Sequence, residues 1–134
     1  MGLDGLHLIV DAHATKGLHD RERVEDWIRQ VVRFSGMTLL GMQSHLLHTA
    51  LDSGPGVSVV AVIAESHISV HTWPEHKMIT MDFYSCKPYD ARTVLDSFSN
   101  TFGVVGHIKY RVISRWGKET EEGHVATADK IVTS

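Results

Sequence analysis

The residues best equipped for chemistry lie together in the middle of the chain, in the string 64–75 (AESHISVHTWPE). Its twelve residues include two carboxylates, two histidines, two serines and a tryptophan. An apolar run, 57–63, leads into the string and is interrupted only by Ser58. A core strand has no structural use for so many reactive groups, so this string is the first candidate for a functional site.

Alternation of side chains predicts a strand over 68–73 that ends at Pro74. Successive residues of a strand lie on opposite faces, which divides the string into two sets. One face carries His67, Ser69, His71 and Trp73, and the other carries Ile68, Val70 and Thr72. A half-exposed strand with a polar outer face and no further function also fits this pattern.

Two kinds of chemistry are open from the residues alone. One is a zinc site with ligands drawn from Glu65, His67, His71, Glu75 and Cys86. The spacing is a poor match, because chelating pairs in a strand tend to lie two residues apart. The other is nucleophilic catalysis by Ser66 or Cys86 with a histidine base, although neither residue lies in a glycine-flanked elbow.

The elements that must position this string are six strands and two helices. The strands are predicted at 6–12, 37–47, 57–63, 68–73, 77–86 and 104–113, with a bulge at Gly41. Asp20 and Asp90 are suited to begin the two helices, and Gly36 and Gly103 to end them. Short turns between consecutive strands favour antiparallel pairing, and each helix has one apolar face. The prediction is an α/β (α+β) two-layer sandwich, a mostly antiparallel sheet with both helices packed on one face.

The chain of 134 residues is expected to form a single domain, 1–134. Several strands have apolar residues on both sides, so the second sheet face needs cover, which makes a homodimer the expected assembly. The segment 117–134 is polar and lacks periodicity, and we expect a flexible tail there.

The composition argues against some classes of partner and favours one cellular compartment. The net charge is −3 and no block of one sign occurs, which argues against nucleic acid. No apolar run approaches the ~20 residues of a membrane span, and the first residues lack the pattern of a secretory signal. A lone cysteine, Cys86, cannot form a disulfide within the chain, which fits a reducing, cytoplasmic location.

The string 65–75 resembles the processing-site motif of the prokaryotic S-adenosylmethionine decarboxylases. The similarity includes 56–58 upstream, 81–86 downstream and the opening strand 5–10, and it covers most of residues 5–114. It implies a proenzyme that cuts itself between Glu65 and Ser66. The products would be a β chain 1–65 and an α chain 66–134 headed by a pyruvoyl group derived from Ser66, with no metal expected.

The resemblance also implies roles for individual residues. His71 is the proton donor in processing, and Ser58 helps in the same steps. The glycine and proline residues at 54–56 predict a tight turn that brings the strand containing Ser58 into register beside Ser66. The pyruvoyl group forms a Schiff base with the substrate amine and takes up electrons as carbon dioxide leaves. Cys86 is then the proton donor in decarboxylation. The alternative is that Cys86 is a buried residue that only packs in the apolar interior. For substrate binding the resemblance gives Glu75, through ribose hydroxyls, and Trp73 is a second candidate that fits core or pocket.

Three departures from the family pattern bear on the substrate. Residues 48–55 contain no aromatic ring to stack on adenine, a contact worth ~1–3 kcal/mol. Val59 and Lys87 stand where many members have glycine. Asp52 places a carboxylate near the expected pocket, where it could pair with a cationic group of the substrate.

The expected substrate is S-adenosylmethionine, whose decarboxylation makes the aminopropyl donor for spermidine, a polyamine. Decarboxylation of a basic amino acid, ornithine or arginine, on the same scaffold is the alternative. A non-catalytic homologue that regulates a partner is a third interpretation.

Overall fold

The fold is an antiparallel sheet with two helices on one face. The computed structural model describes residues 5–48, 53–115, 120–126 and 132–133. Within those ranges the strands are β1 (Leu6–Ala14), β2 (Leu39–Leu47), β3 (Gly56–Ile63), β4 (Ser66–Trp73), β5 (Met78–Ser85), β6 (Val104–Ser114), β7 (Thr120–Ala126) and β8 (Val132–Thr133). The helices are α1 (Arg21–Phe34) and α2 (Ala91–Phe102), with a short 3-10 helix at Pro74–His76. Neighbouring strands follow the order β2-β3-β4-β5-β1-β6-β7-β8 and every pair is antiparallel.

Both helices begin and end at the residues that the sequence predicts. The Asp20 carboxylate accepts hydrogen bonds from the Glu22 and Arg23 amides at 3.0 and 3.3 Å, and the Asp90 carboxylate accepts one from the Arg92 amide at 3.0 Å. Gly36 and Gly103 follow the two helices with φ of +69° and +60°, a conformation that glycine adopts at little cost. No helix of the described ranges is long and apolar enough to cross a membrane.

The core lies between the helices and one face of the sheet. On β4 this face carries Ile68, Val70 and Thr72, all buried, as the alternation predicts. The Trp27 ring of α1 meets Phe98 and Phe102 of α2 edge-on, at centroid distances of 5.3 and 5.8 Å. Truncation of such a buried ring costs about 3–5 kcal/mol. The predicted two-layer sandwich is therefore confirmed, with α1 over β2 and β3 and α2 over β1 and β6.

Two details of the strands bear on the site. The ladder between β2 and β3 shifts register between Leu39 and Gly41, which confirms the expected bulge. Strand β4 begins at Ser66, two residues earlier than predicted, because Ser66 pairs with Ile63 of β3. That pair leaves only Ala64 and Glu65 to make the turn between the two strands.

The segment 117–134, which we expect to be a flexible tail, includes a strand at 120–126. Strand β7 pairs along β6, from Ile113 with Thr120 to His107 with Ala126, and β8 adds a further short strand. The pairing rests on main-chain hydrogen bonds, which leave no alternating pattern in the sequence when neither face of the strand is apolar. The rest of that segment, 117–119, 127–131 and 134, lies outside the described residues.

Candidate active site

The turn between β3 and β4 ends at a residue with a strained backbone. Two-residue turns favour glycine or asparagine at positions of positive φ, and the turn here is Ala64 and Glu65. The positive φ falls instead on Ser66, at +154°, a region that residues with side chains rarely adopt. Such a residue costs on the order of 1–3 kcal/mol. The strained residue is therefore the one that follows the Glu65–Ser66 peptide bond.

The carbonyl of this peptide bond is held by a main-chain donor. The Cys86 amide donates a hydrogen bond of 2.9 Å to the Glu65 carbonyl oxygen. Negative charge would develop on that oxygen if a nucleophile attacked the carbonyl carbon, and a fixed N–H group aimed at it would stabilise the charge.

The turn is also tied to the residue before β2. The Glu65 carboxylate accepts a hydrogen bond of 3.0 Å from the Thr38 amide, and the Ala64 amide donates one of 2.9 Å to the Thr38 carbonyl. The Glu65 residue is thus fixed through both its side chain and its carbonyl oxygen.

The structure brings Ser66 and Cys86 to the same end of the sheet. The β4–β5 ladder pairs Ser66 with Ser85, so Cys86 comes directly after the residue opposite Ser66. Cys86 is partly exposed and free of any disulfide. We name this end of the sheet, with Glu65, Ser66 and Cys86, the closed end of the hairpin.

Ser58 and His71 form a separate pair. The two residues lie opposite each other on β3 and β4, and Ser58 Oγ is 3.0 Å from His71 Nδ1. His71 lies five residues beyond Ser66 on β4, a separation of about 17 Å at the rise of a strand. The strand that contains Ser58 lies beside the strand that begins at Ser66, as expected, but Ser58 itself faces His71. Because the hairpin closes at Ile63 and Ser66, a residue five places before the turn must face one five places after it.

Two further predicted residues lie beyond His71, at what we name the open end of the hairpin. Trp73 is 39% exposed, so it is not a core residue, and its ring centroid is 6.4 Å from that of His71. Glu75 lies in the short 3-10 helix, and its Oε2 atom is buried without a hydrogen-bond partner in the described part of the chain. Asp52 lies outside the described residues.

A polar cluster that the sequence reasoning missed lies between the two ends, on the face away from the helices. His7 Nε2 is 3.1 Å from Asp82 Oδ1, and this hydrogen bond holds the pKa of Asp82 below its ordinary value. The Ser69 hydroxyl lies 3.5 Å from the other Asp82 oxygen, and the rings of His67 and Tyr84 surround the pair. The polar positions of three alternating strands are a signal that could have pointed to this cluster.

The residues considered as zinc ligands are not gathered into a site. Among the residues that the structure describes, no three histidine, cysteine, aspartate or glutamate side chains are arranged so that they could hold a metal ion. Glu65 and Cys86 lie at the closed end, whereas His71 and Glu75 lie at the open end.

The face of the sheet away from the helices has large apolar side chains in contact with solvent. Val60 and Val62 of β3 are 44% and 51% exposed, and Leu47, Trp73 and Met78 lie at the open end of the same face. A monomer gains nothing from this exposure, so the face is suited to contact with another molecule.

Comparisons with known proteins agree with this architecture. The model of the family described as S-adenosylmethionine decarboxylase matches residues 6–116. The S-adenosylmethionine decarboxylase proenzyme of Saccharolobus islandicus is 39% identical over 95 residues, 71% of this chain and 71% of that protein. The proenzyme of the same name from Aeropyrum pernix is 42% identical over 64% of each chain.

A solved structure shows the same fold. The crystal structure of the adenosylmethionine decarboxylase of Aquifex aeolicus superposes with a TM-score of 0.71 at 27% identity. The superposition covers 89% of this chain and 96% of that one.

Proposed function

Because the chain belongs to the S-adenosylmethionine decarboxylase family, we propose that it is a self-processing, pyruvoyl-dependent decarboxylase of S-adenosylmethionine. The observation that carries the proposal is the Glu65–Ser66 peptide bond. It combines a strained serine, a hydroxyl on the residue after the carbonyl, and an N–H donor 2.9 Å from the carbonyl oxygen. The similarity to S-adenosylmethionine decarboxylase proenzymes favours S-adenosylmethionine over ornithine or arginine as the substrate.

Self-processing follows from the chemistry of that bond. The Ser66 hydroxyl attacks the Glu65 carbonyl carbon, and the Cys86 amide stabilises the charge on the oxygen. Collapse of this intermediate breaks the C–N bond and turns the peptide into an ester. Removal of the Ser66 Cα proton then breaks the Cβ–O bond and releases Glu65 as a carboxylate. Addition of water and loss of ammonia convert the residue that remains into a pyruvoyl group.

Ser58 and His71 supply the proton transfers of processing in this proposal. A histidine with a hydroxyl partner can both donate and accept a proton near neutral pH. Because about 17 Å of β4 separate them from Ser66, one chain cannot apply them to its own bond.

A second copy of the chain could place its own Ser58–His71 pair next to Ser66 of the first copy. We propose a homodimer in which the open face of each sheet is covered by the partner, and the Ser58–His71 pair of one copy serves the closed end of the other. The exposed Val60 and Val62 support this arrangement, because a partner sheet would bury them. Burial of apolar area contributes roughly 25 cal/mol per Å².

The residues at the closed end fit a pyruvoyl group, since Ser66 heads a strand beside Cys86. Such a group would supply a sink for the electron pair that stays on the substrate carbon when carbon dioxide leaves. In this proposal the Cys86 thiol donates the proton that replaces the carboxylate.

Glu75 holds the substrate in this proposal, through hydroxyl groups of its ribose. Its buried Oε2 atom has no partner in the described part of the chain, and a buried carboxylate oxygen is expected to accept a hydrogen bond. The exposed ring of Trp73 lies near the same end and provides an apolar surface for the substrate. The product would be the aminopropyl donor for spermidine synthesis.

Intact-mass analysis of the purified full chain tests the processing. We expect two fragments, 1–65 and 66–134, with the second blocked to Edman sequencing. A single chain that stays uncut through long incubation would contradict the proposal.

Release of carbon dioxide from the processed protein tests the substrate. S-adenosylmethionine, ornithine and arginine are offered separately, and we expect release from S-adenosylmethionine only. Release from a basic amino acid instead would assign the same chemistry to the alternative substrate.

A Cys86→Ala variant separates the two roles given to Cys86. The variant keeps the backbone N–H that contacts Glu65, so cleavage is expected to proceed within a few-fold of the wild-type rate. Decarboxylation loses its proton donor and is expected to fall by about 10²-fold or more. Equal loss of both reactions, measured by intact mass and by carbon dioxide release, would show that Cys86 has a structural role.

A further inference from the structure

We propose that Ser85 is a positioning residue for self-cleavage, because its hydroxyl holds Cys86 with its amide on the Glu65 carbonyl oxygen. The inference rests on the proposed cleavage between Glu65 and Ser66. Ser85 lies directly opposite Ser66 in the β4–β5 ladder and directly before Cys86. The resemblance to the family implies no role for Ser85.

The Ser85 hydroxyl is fully used by the main chain. The residue is 0% exposed, and its Oγ atom accepts a hydrogen bond of 2.9 Å from the Lys87 amide. The same hydroxyl donates one of 2.7 Å to the Lys87 carbonyl. It also lies 3.7 Å from the Met37 sulfur, a weaker acceptor. One side chain therefore fixes both polar groups of a residue two places further along.

These contacts fix the residue between them. On one side of Cys86, Ser85 is held in the sheet by its ladder partners Leu6 and Ser66. On the other side, Lys87 is held by Ser85 and by its own ammonium group, which donates a hydrogen bond of 2.8 Å to the Gly36 carbonyl. The Cys86 amide therefore has little freedom to leave the Glu65 oxygen.

The orientation of this amide controls the rate of cleavage. Removal of one donor to a developing oxyanion slows an acyl transfer by roughly 10²–10³-fold, and a donor that is present but loosely held loses part of that benefit. We expect loss of the Ser85 hydroxyl to slow cleavage by about tenfold, since the Cys86 amide remains in the chain but is less well aligned.

Three variants of the full chain test this proposal. Ser85→Ala removes the hydroxyl, and Ser85→Thr keeps it. Ser97→Ala is the matched control, because the Ser97 hydroxyl also makes a hydrogen bond inside the fold, to the Trp27 indole N–H at 3.0 Å, but on α2 and outside the closed end. Cleavage is followed by intact mass over time, and the Tm of each variant is measured.

The expected result is a loss of rate that is independent of the loss of stability. Ser85→Ala should cleave about tenfold more slowly than the wild type, Ser85→Thr within about threefold of it, and Ser97→Ala at the wild-type rate despite a lower Tm. Wild-type cleavage by Ser85→Ala, or an equal defect in Ser85→Thr and Ser85→Ala, would overturn the positioning role and leave the proposed function intact. A wild-type chain that never cleaves would overturn the proposed function itself.

A further variant keeps the test decisive if Ser85→Ala does not fold. Lys87→Met removes the second anchor of the segment at an exposed position. We expect it to slow cleavage by about threefold with no change in Tm beyond a few degrees. In that case, a wild-type rate in Lys87→Met would overturn the proposal.

Discussion

The two ends of the β3–β4 hairpin differ in how their reactive residues are held. At the closed end the contacts involve main-chain groups: the Cys86 amide lies on the Glu65 carbonyl, the Thr38 amide lies on the Glu65 carboxylate, and Ser66 has a strained φ. At the open end the contacts of the described residues join side chains: His71 Nδ1 lies 3.0 Å from Ser58 Oγ, and the His71 ring centroid lies 6.4 Å from that of Trp73.

The closed end therefore contains the Glu65–Ser66 bond that is proposed to break, and the open end contains Ser58 and His71, the groups proposed to transfer protons. Main-chain contacts fix a geometry but carry no titratable proton. A side chain such as His71 can transfer a proton, but in its own chain it lies about 17 Å along β4 from Ser66. In the proposed dimer, the closed end of one copy and the open end of the other are two halves of one site, and substitutions can test each half.

The largest effect is expected at Ser66. Ser66→Ala removes the attacking hydroxyl and should abolish cleavage, so that intact mass shows one chain of full length. Ser69→Ala, three residues along the same strand, is the control and should cleave as the wild type does. Cleavage of Ser66→Ala at the same bond would show that this hydroxyl is not the nucleophile.

His71 is expected to have the next largest effect. His71→Ala removes the proton donor of the open end, and the rate of cleavage should fall by about 10²–10⁴-fold, the usual contribution of a general acid or base. His67→Ala removes an exposed histidine four residues earlier and should retain cleavage. A normal rate in His71→Ala would remove the open end from the processing site.

Glu65 should give a moderate effect at the closed end. Glu65→Ala loses the hydrogen bond from the Thr38 amide and should cleave several-fold more slowly, because the turn is less well fixed. Glu65→Gln keeps an acceptor oxygen and should stay close to the wild-type rate. Equal rates for the two variants would show that the turn needs no side-chain support.

The smallest effect is expected between the two ends, at Asp82. Its pKa is lowered by the hydrogen bond from His7, so the ionised carboxylate is favoured in the folded protein. The resulting stability is present above pH 3.8, the ordinary value, and is lost as the pH falls through the lower folded-state pKa. Asp82 is partly exposed, so less than about 1 kcal/mol is expected.

Denaturant unfolding at several pH values checks this prediction. The wild type should be more stable than Asp82→Asn at pH 5, and the difference should shrink as the pH falls below 3.8. A difference that grows as the pH falls below 3.8 would contradict the assigned direction.

The sequence predicts most of the fold because the signals are local. Helix caps at Asp20 and Asp90 and the alternation of 68–73 are set by neighbouring residues, and the structure has both. The register of the hairpin is different. Alternation fixes which face a side chain takes, but a shift of two residues preserves the faces, so it cannot say that Ser58 meets His71.

The same limit explains what else was missed. The bond between the Cys86 amide and the Glu65 carbonyl depends on the order β3-β4-β5 and on a turn of two residues, neither of which alternation encodes. The contact of His7 with Asp82 joins strands far apart in the chain. Strand β7 pairs through its backbone, which has the same groups in any sequence.

Complementation between two inactive variants tests most directly whether the closed and open ends of different copies form one site. Ser66→Ala and His71→Ala are each expected to stay uncut when expressed alone. When the two are co-expressed, a mixed dimer has one complete site, with Ser66 from one copy and His71 from the other. Intact mass should then show cleavage of the His71→Ala chain only. If neither chain is cut in isolated mixed dimers, the two ends do not act across copies and the account is wrong.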